Sequence, residues 1–173
     1  MFQTKHAGKA LTIMLSTTLL FNNKLMNAQS PGIEWQGGYG GTASDYLTSS
    51  RQTADGGYII GGYSNSGING NKSEDKIGLY DYWIIKTDSA GNIVWQNVIG
   101  GTQNDYLNNV EPTADGGYIL GGTSFSDSTA DKSENKNGAQ DFWIVKTDAS
   151  GNIVWENTIG GDAYDYLHII HQT

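Results

Sequence analysis

An internal repeat of 60 residues constrains this chain more than any other feature. The stretch Asp81-Tyr-Trp-Ile-Ile-Lys-Thr-Asp-Ser-Ala-Gly-Asn-Ile-Val-Trp-Gln-Asn-Val-Ile-Gly-Gly101 returns almost unchanged from Asp141 to Gly161. Asp-Tyr-Leu begins at 45, 105 and 165, and Thr-Ala-Asp-Gly-Gly-Tyr-Ile begins at 53 and 113. Trp35, Trp95 and Trp155 keep the same spacing. Segments 42–101 and 102–161 align without a gap and agree at 35 of 60 positions. A fixed period of this length marks stacked units, each unable to bury its apolar surface alone.

Within a unit the pattern predicts four short strands. The first runs from Tyr46 to Thr53, with its copy starting at Tyr106. Asp55-Gly56-Gly57 supplies a tight turn, because Asp-Gly tolerates the positive φ that hairpins need. Tyr58 to Tyr63 is rich in β-formers, and a polar loop over 64–80 precedes a third strand from Tyr82 to Thr87. Alternation places Trp83 and Ile85 on one face and Tyr82, Ile84 and Lys86 on the other. After Asp88-Ser-Ala-Gly-Asn92, a fourth strand from Ile93 to Ile99 puts Ile93, Trp95 and Ile99 on one face by the same rule. Such a meander has two apolar faces. Stacking copies around an axis covers both, which predicts an all-β fold of β-propeller-type, four-stranded antiparallel blades. A parallel β-helix is the rival, but its turns are shorter and lack this hairpin punctuation. Equivalent blades also place Trp95 and Trp155 in like surroundings.

Residues 1–28 read as a signal peptide. Lys5, His6 and Lys9 form a basic start, residues 10–21 an apolar run, and Ala28 a small residue at the cleavage point. The run is too short for a membrane span, which needs about 20 apolar residues, and no later stretch qualifies. The chain therefore reads as exported, secreted or displayed at the cell surface, and not as an integral membrane protein. It has no Cys, hence no disulfide or acylated cysteine. Cleavage removes three lysines and no acid, taking the net charge from −8 to −11. That surface repels nucleic acid and anionic lipid.

The flanks keep phase. Residues 29–41 read as the outer strand of a partial blade, because Ile33-Glu-Trp-Gln matches Ile93-Val-Trp-Gln. Residues 162–173 read as the inner strand of another. Two units fall short of a propeller ring, which takes four to eight blades. The expectation is a piece of a longer repeat protein, with further blades or self-association closing the ring.

The repeat, read as Thr-Ala-Asp-Gly-Gly-Tyr-Ile-Ile-Gly-Gly-Tyr-Ser, an Asn/Ser/Gly-rich loop, then Asp-Tyr-Trp-Ile-Ile-Lys-Thr-Asp, resembles the units of secreted β-propeller-like proteins of Bacteroidetes. The resemblance covers nearly all of 33–173. It implies export, in many relatives with a C-terminal type IX sorting domain that this chain does not contain. The hairpin Asp88, Gly91, Trp95 is also similar to quinoprotein-type propeller repeats, without their quinone or calcium ligands.

Candidate chemistry concentrates in the long loops. Lys72, Glu74 and Asp75 match Lys132, Glu134 and Asn135, and Asp81 and Asp141 follow at the next strand. These eight are the candidate binding residues. Loops on one rim of a rigid scaffold suit an extracellular protein or glycan partner. Oxygen-rich loops also suit Ca2+, which takes six to eight oxygen ligands, but no spacing here matches a calcium loop and the lysines oppose an anionic cage. No other cofactor is implied. Asp88, Asp148, Asp55 and Asp115 read as turn residues bonding their own amides. No catalytic residue stands out. His168 and His171 have no histidine counterpart in either unit, and Trp83 and Trp95 sit at core positions. The expected function is a non-enzymatic binding scaffold. The alternative is part of an enzyme acting on extracellular polysaccharide, with its active residues in other blades.

Overall fold

The computed structural model describes residues 32–172. The signal-peptide segment 1–28 lies outside the described residues. From Ile33 onward the chain forms one compact unit. It contains eight strands: β1 (Asp45–Gln52), β2 (Tyr58–Ser64), β3 (Asp81–Thr87), β4 (Ile93–Ile99), β5 (Asp105–Pro112), β6 (Tyr118–Ser124), β7 (Asp141–Thr147) and β8 (Ile153–Ile159). They form two four-stranded antiparallel meanders, β1-β2-β3-β4 and β5-β6-β7-β8. These are two propeller-type blades that do not close into a ring. Their ladders share one register: Tyr46 opposes Tyr63 as Tyr106 opposes Thr123, and Lys86 opposes Trp95 as Lys146 opposes Trp155.

Local chemistry fixes the turns. Gly56, Gly91, Gly116 and Gly151 all take φ between 82° and 85°. Asp88 accepts hydrogen bonds from the amides of Ala90 and Asn92, at 2.9 and 2.8 Å, and Asp148 repeats the pattern with Ser150 and Asn152. Asp55 accepts from Gly57 as expected, and additionally from the buried Lys86 ammonium at 2.8 Å.

Each blade has one β-bulge on each side. In the first blade Thr48 is passed over in the β1–β2 ladder, and Val94 in the β3–β4 ladder. The second bulge corrects the expected facing of β4. Ile93 packs with Trp83 and Ile85, whereas Trp95 and Ile99 belong to the opposite face. The extra residue reverses the alternation, since a slip of one residue turns every following side chain over.

The main core lies between the blades. Ile59, Tyr82, Ile84 and Ile99 of the first blade meet Leu107, Val110, Leu120, Trp143 and Val145 of the second. Gly61 allows this approach, because a Cβ there would sit 2.9 Å from both Leu107 and Val110. Trp95 packs edge-on against Tyr118, with ring centroids 5.8 Å apart, and lies over the Gly151 turn. Trp35 repeats this against Tyr58 and Gly91.

The flanking segments occupy strand positions without strand pairing. Residues 33–39 lie over the first blade with Trp35 and Tyr39, and Leu167 and Ile170 lie over Gly121 as Leu107 and Val110 lie over Gly61. Neither segment forms a ladder, since neither has a neighbouring strand of its own blade. The same cause corrects the expectation that Trp95 and Trp155 are alike. Trp95 is partly buried by the second blade, while Trp155 is 47% exposed because no described residue packs over it as Tyr118 and Gly151 pack over Trp95.

Candidate functional site

The long loops, where the sequence places its eight candidate binding residues, are braced inward. Lys72 is buried, and its ammonium donates to the carbonyls of Ser66 and Glu74 at 3.0 and 2.8 Å. Burial pulls its pKa down, opposed by the nearby Asp81, Asp45, Asp75 and Glu74 carboxylates. Lys132 is held likewise by the Glu134 carbonyl and the Thr158 hydroxyl, and burial lowers its pKa too. The Glu74 carboxylate accepts from the Val98 amide and that of Glu134 from the Thr158 amide, both at 2.7 Å. Each loop is thereby fastened to the outer strand of its own blade.

Asp81 and Asp141 are fully buried at the loop ends. Asp81 accepts from the amides of Ile77 and Gly78, and Asp141 from that of Asn137. Burial pushes the Asp81 carboxyl up to about 6, with the two amides acting in the opposite direction. Asp75 caps the Lys76 amide and Asn135 the Ser128 amide. Among the described residues, no three His, Cys, Asp or Glu side chains gather in a metal-holding arrangement. His168 and His171 are both exposed, and His171 lies 3.5 Å from Glu111, which also pairs with Arg51.

Two concave surfaces among the described residues stand out. The larger, of about 610 Å³, runs between residues 33–39 and the free face of the first blade. Its floor includes Leu47, Ile60, Trp83 and Ile85. On the second blade the corresponding surface is closed by packing: Leu107 is fully buried where Leu47 is 68% exposed. The groove floor is thus the counterpart of the surface that the second blade buries against the first.

The smaller cleft, of about 250 Å³, is lined by Tyr46, Tyr63, Tyr80 and Tyr106. Strand register builds it. Tyr46, Tyr63 and Tyr82 oppose one another across β1, β2 and β3, forming one aromatic row. Tyr82 is sealed inside the junction, while Tyr46 at the sheet edge is 49% exposed. Tyr80 is placed by a bridge to Asn104, and its carbonyl accepts from the Asp105 amide at 2.7 Å. That brings it within 5.7 Å of Tyr63 and of Tyr106, centroid to centroid. Phe125 closes one side against Tyr106.

The hydroxyls of Tyr39 and Tyr82 donate to the carbonyls of Gly91 and Trp143. Those of the four cleft tyrosines bond to no described residue; Tyr63 and Tyr106 feel burial and neighbouring phenols, which together raise their pKa values. The nearest buried carboxylate, Asp105, is engaged by the Gly101 amide and the Ser126 hydroxyl. The cleft thus offers aromatic surface and free hydroxyls with no charged group in its lining.

Sequence reasoning did not assemble these tyrosines, although a signal was present. Tyr63 and Tyr80 are replaced by Thr123 and Gln140 in the second unit, while the surrounding strand pattern is kept.

Models of known protein families and the sequences of curated proteins were both compared with this chain, and none matches.

Proposed function

We propose that this chain is a secreted or cell-surface β-propeller-type repeat segment that acts as a non-enzymatic binding scaffold for an extracellular partner. The observation that carries this reading is the tyrosine cleft. The braced framework repeats from blade to blade, whereas Tyr63 and Tyr80 do not. A site added to a rigid frame has that form, because ordered neighbours lower the entropy lost on binding. The acidic chain disfavours nucleic acid as partner.

The groove on the first blade supports a place within a larger repeat assembly. Its floor repeats the surface that the second blade buries against the first, so a further repeat is its natural occupant. The described flanking segments supply an outer and an inner strand position without the two central strands between them.

A glycan array combined with a hydrolysis screen on the secreted chain tests the scaffold. Binding without turnover is expected, and turnover would overturn it. N-terminal sequencing of the exported product tests secretion, with Gln29 the expected first residue.

A further inference from the structure

The tyrosine cleft carries more than a general binding role. We infer that Tyr46, Tyr63, Tyr80 and Tyr106 form a site for a neutral carbohydrate. The inference deepens the scaffold reading and rests on it.

The strand framework does not require all four rings. At the next junction the equivalent positions are Tyr106, Thr123, Gln140 and Tyr166, and the β6–β7 ladder there keeps the register of β2–β3. Tyr63 and Tyr80 are therefore not needed to form the ladder of their own blade. The four phenol hydroxyls are not sealed in a core, and Tyr46 is 49% exposed. At the mouth of a cleft the same hydroxyls stay hydrated and ready to exchange water for a ligand.

The geometry narrows the ligand class. Ring centroids lie 4.9 to 6.1 Å apart, and Tyr46 and Tyr63 stack at 25°. Rings this close, two of them turned face to face, leave no box for a cation between them. A cation cage turns several ring faces on one charge, within about 6 Å of each centroid, whereas a sugar stacks on a single outer face. An anion meets no positive side chain in the lining, on a chain of net charge −8. What remains is a ligand with an apolar surface for the rings and a hydroxyl periphery for the phenols, which is the chemistry of a neutral sugar. Tyrosine suits it because one side chain supplies both contacts. The volume of about 250 Å³ fits a short stretch of saccharide rather than a drug-sized molecule.

Calorimetric titration of the full chain with soluble xylo-, cello-, manno- and malto-oligosaccharides tests the assignment. Choline chloride and a sulfated heparin oligosaccharide serve as charged probes. At least one neutral oligosaccharide should bind. The double variant Y63T/Y80Q installs the residues that the second unit already carries, so it should fold and weaken that binding at least about tenfold. A second variant, Y46F/Y63F/Y80F/Y106F, keeps the rings and removes the hydroxyls, and should weaken it as well. Three results would overturn the proposal: no neutral oligosaccharide binding, preference for either charged probe, or unchanged affinity in Y63T/Y80Q. If Y63T/Y80Q retains an extracellular partner undiminished, the cleft assignment falls and the scaffold stands. If the unaltered chain binds nothing, both fall.

Discussion

The hydroxyl of Tyr82 donates a 3.0 Å hydrogen bond to the carbonyl of Trp143, joining two blades across a fully buried junction. The two rings also meet, with centroids 5.0 Å apart. Tyr82→Phe keeps the ring and leaves one buried carbonyl short of a donor, so a loss of about 1 kcal/mol is expected in chemical denaturation. Tyr82→Ala should cost about 3–5 kcal/mol by opening a cavity. The repeat equivalent is Phe142, which is only partly buried where Tyr82 is sealed. Phe142→Tyr should therefore leave stability within about 0.5 kcal/mol.

Gly116 and Gly151 have nearly the same backbone, with φ of 84° and 85°, but different surroundings. A Cβ on Gly116 meets nothing within 4 Å, whereas one on Gly151 would lie 2.8 Å from the Trp95 ring. Gly116→Ala should thus show the left-handed backbone cost alone, about 1–2 kcal/mol. Gly151→Ala should lose more and shift the tryptophan emission, because Trp95 must leave its seat. Equal losses with an unmoved emission spectrum would show that Trp95 does not depend on this turn.

Most of the fold was legible because its determinants are local. Asp-Gly turns and alternating apolar residues placed every strand within one or two residues, and β4 at its observed limits. The facing of Ile93 was not legible, because the bulge at Val94 arises from pairing with β3 rather than from any residue type. Nor was the inward turn of Lys72 and Glu74. Their partners, Ser66 and Val98, come together only when the loop folds back over β4. The cleft draws on four separate segments, so its signal was a difference between units, Tyr63 against Thr123 and Tyr80 against Gln140. A search for periodicity rewards agreement and passes over such differences.

Asp81 sets an expected pH dependence. Its carboxyl is raised to about 6 by burial, above its ordinary 3.8, so the folded chain holds this proton more tightly than the unfolded one. That contribution is complete below the unfolded value and is lost as pH rises through the folded one. Asp105 is shifted the same way, again chiefly by burial. The turn aspartates act oppositely: hydrogen bonds from Thr113 and Lys146 lower Asp115 to about 2, so its contribution is lost only in stronger acid. Denaturation midpoints should fall between about pH 4 and 6. In Asp81→Asn, which imitates the protonated side chain, that fall should be much smaller. An equally steep fall in the variant would assign the effect to other groups.

Trp155 offers a direct test of blade stacking. It is exposed where Trp95 is covered, and the second blade covers Trp95 with Tyr118 and the Gly151 turn. Replacing residues 162–173 with a further copy of 102–161 supplies those two features to Trp155 at the same spacing. In repeat arrays each added unit contributes its own stability and a new interface. The extended chain should unfold at higher denaturant, and acrylamide should quench Trp155 no more than Trp95, as read in variants that retain only one of them. A third unit that folds while Trp155 stays as accessible as before would show that the contact between the first two blades is not a general rule of the repeat.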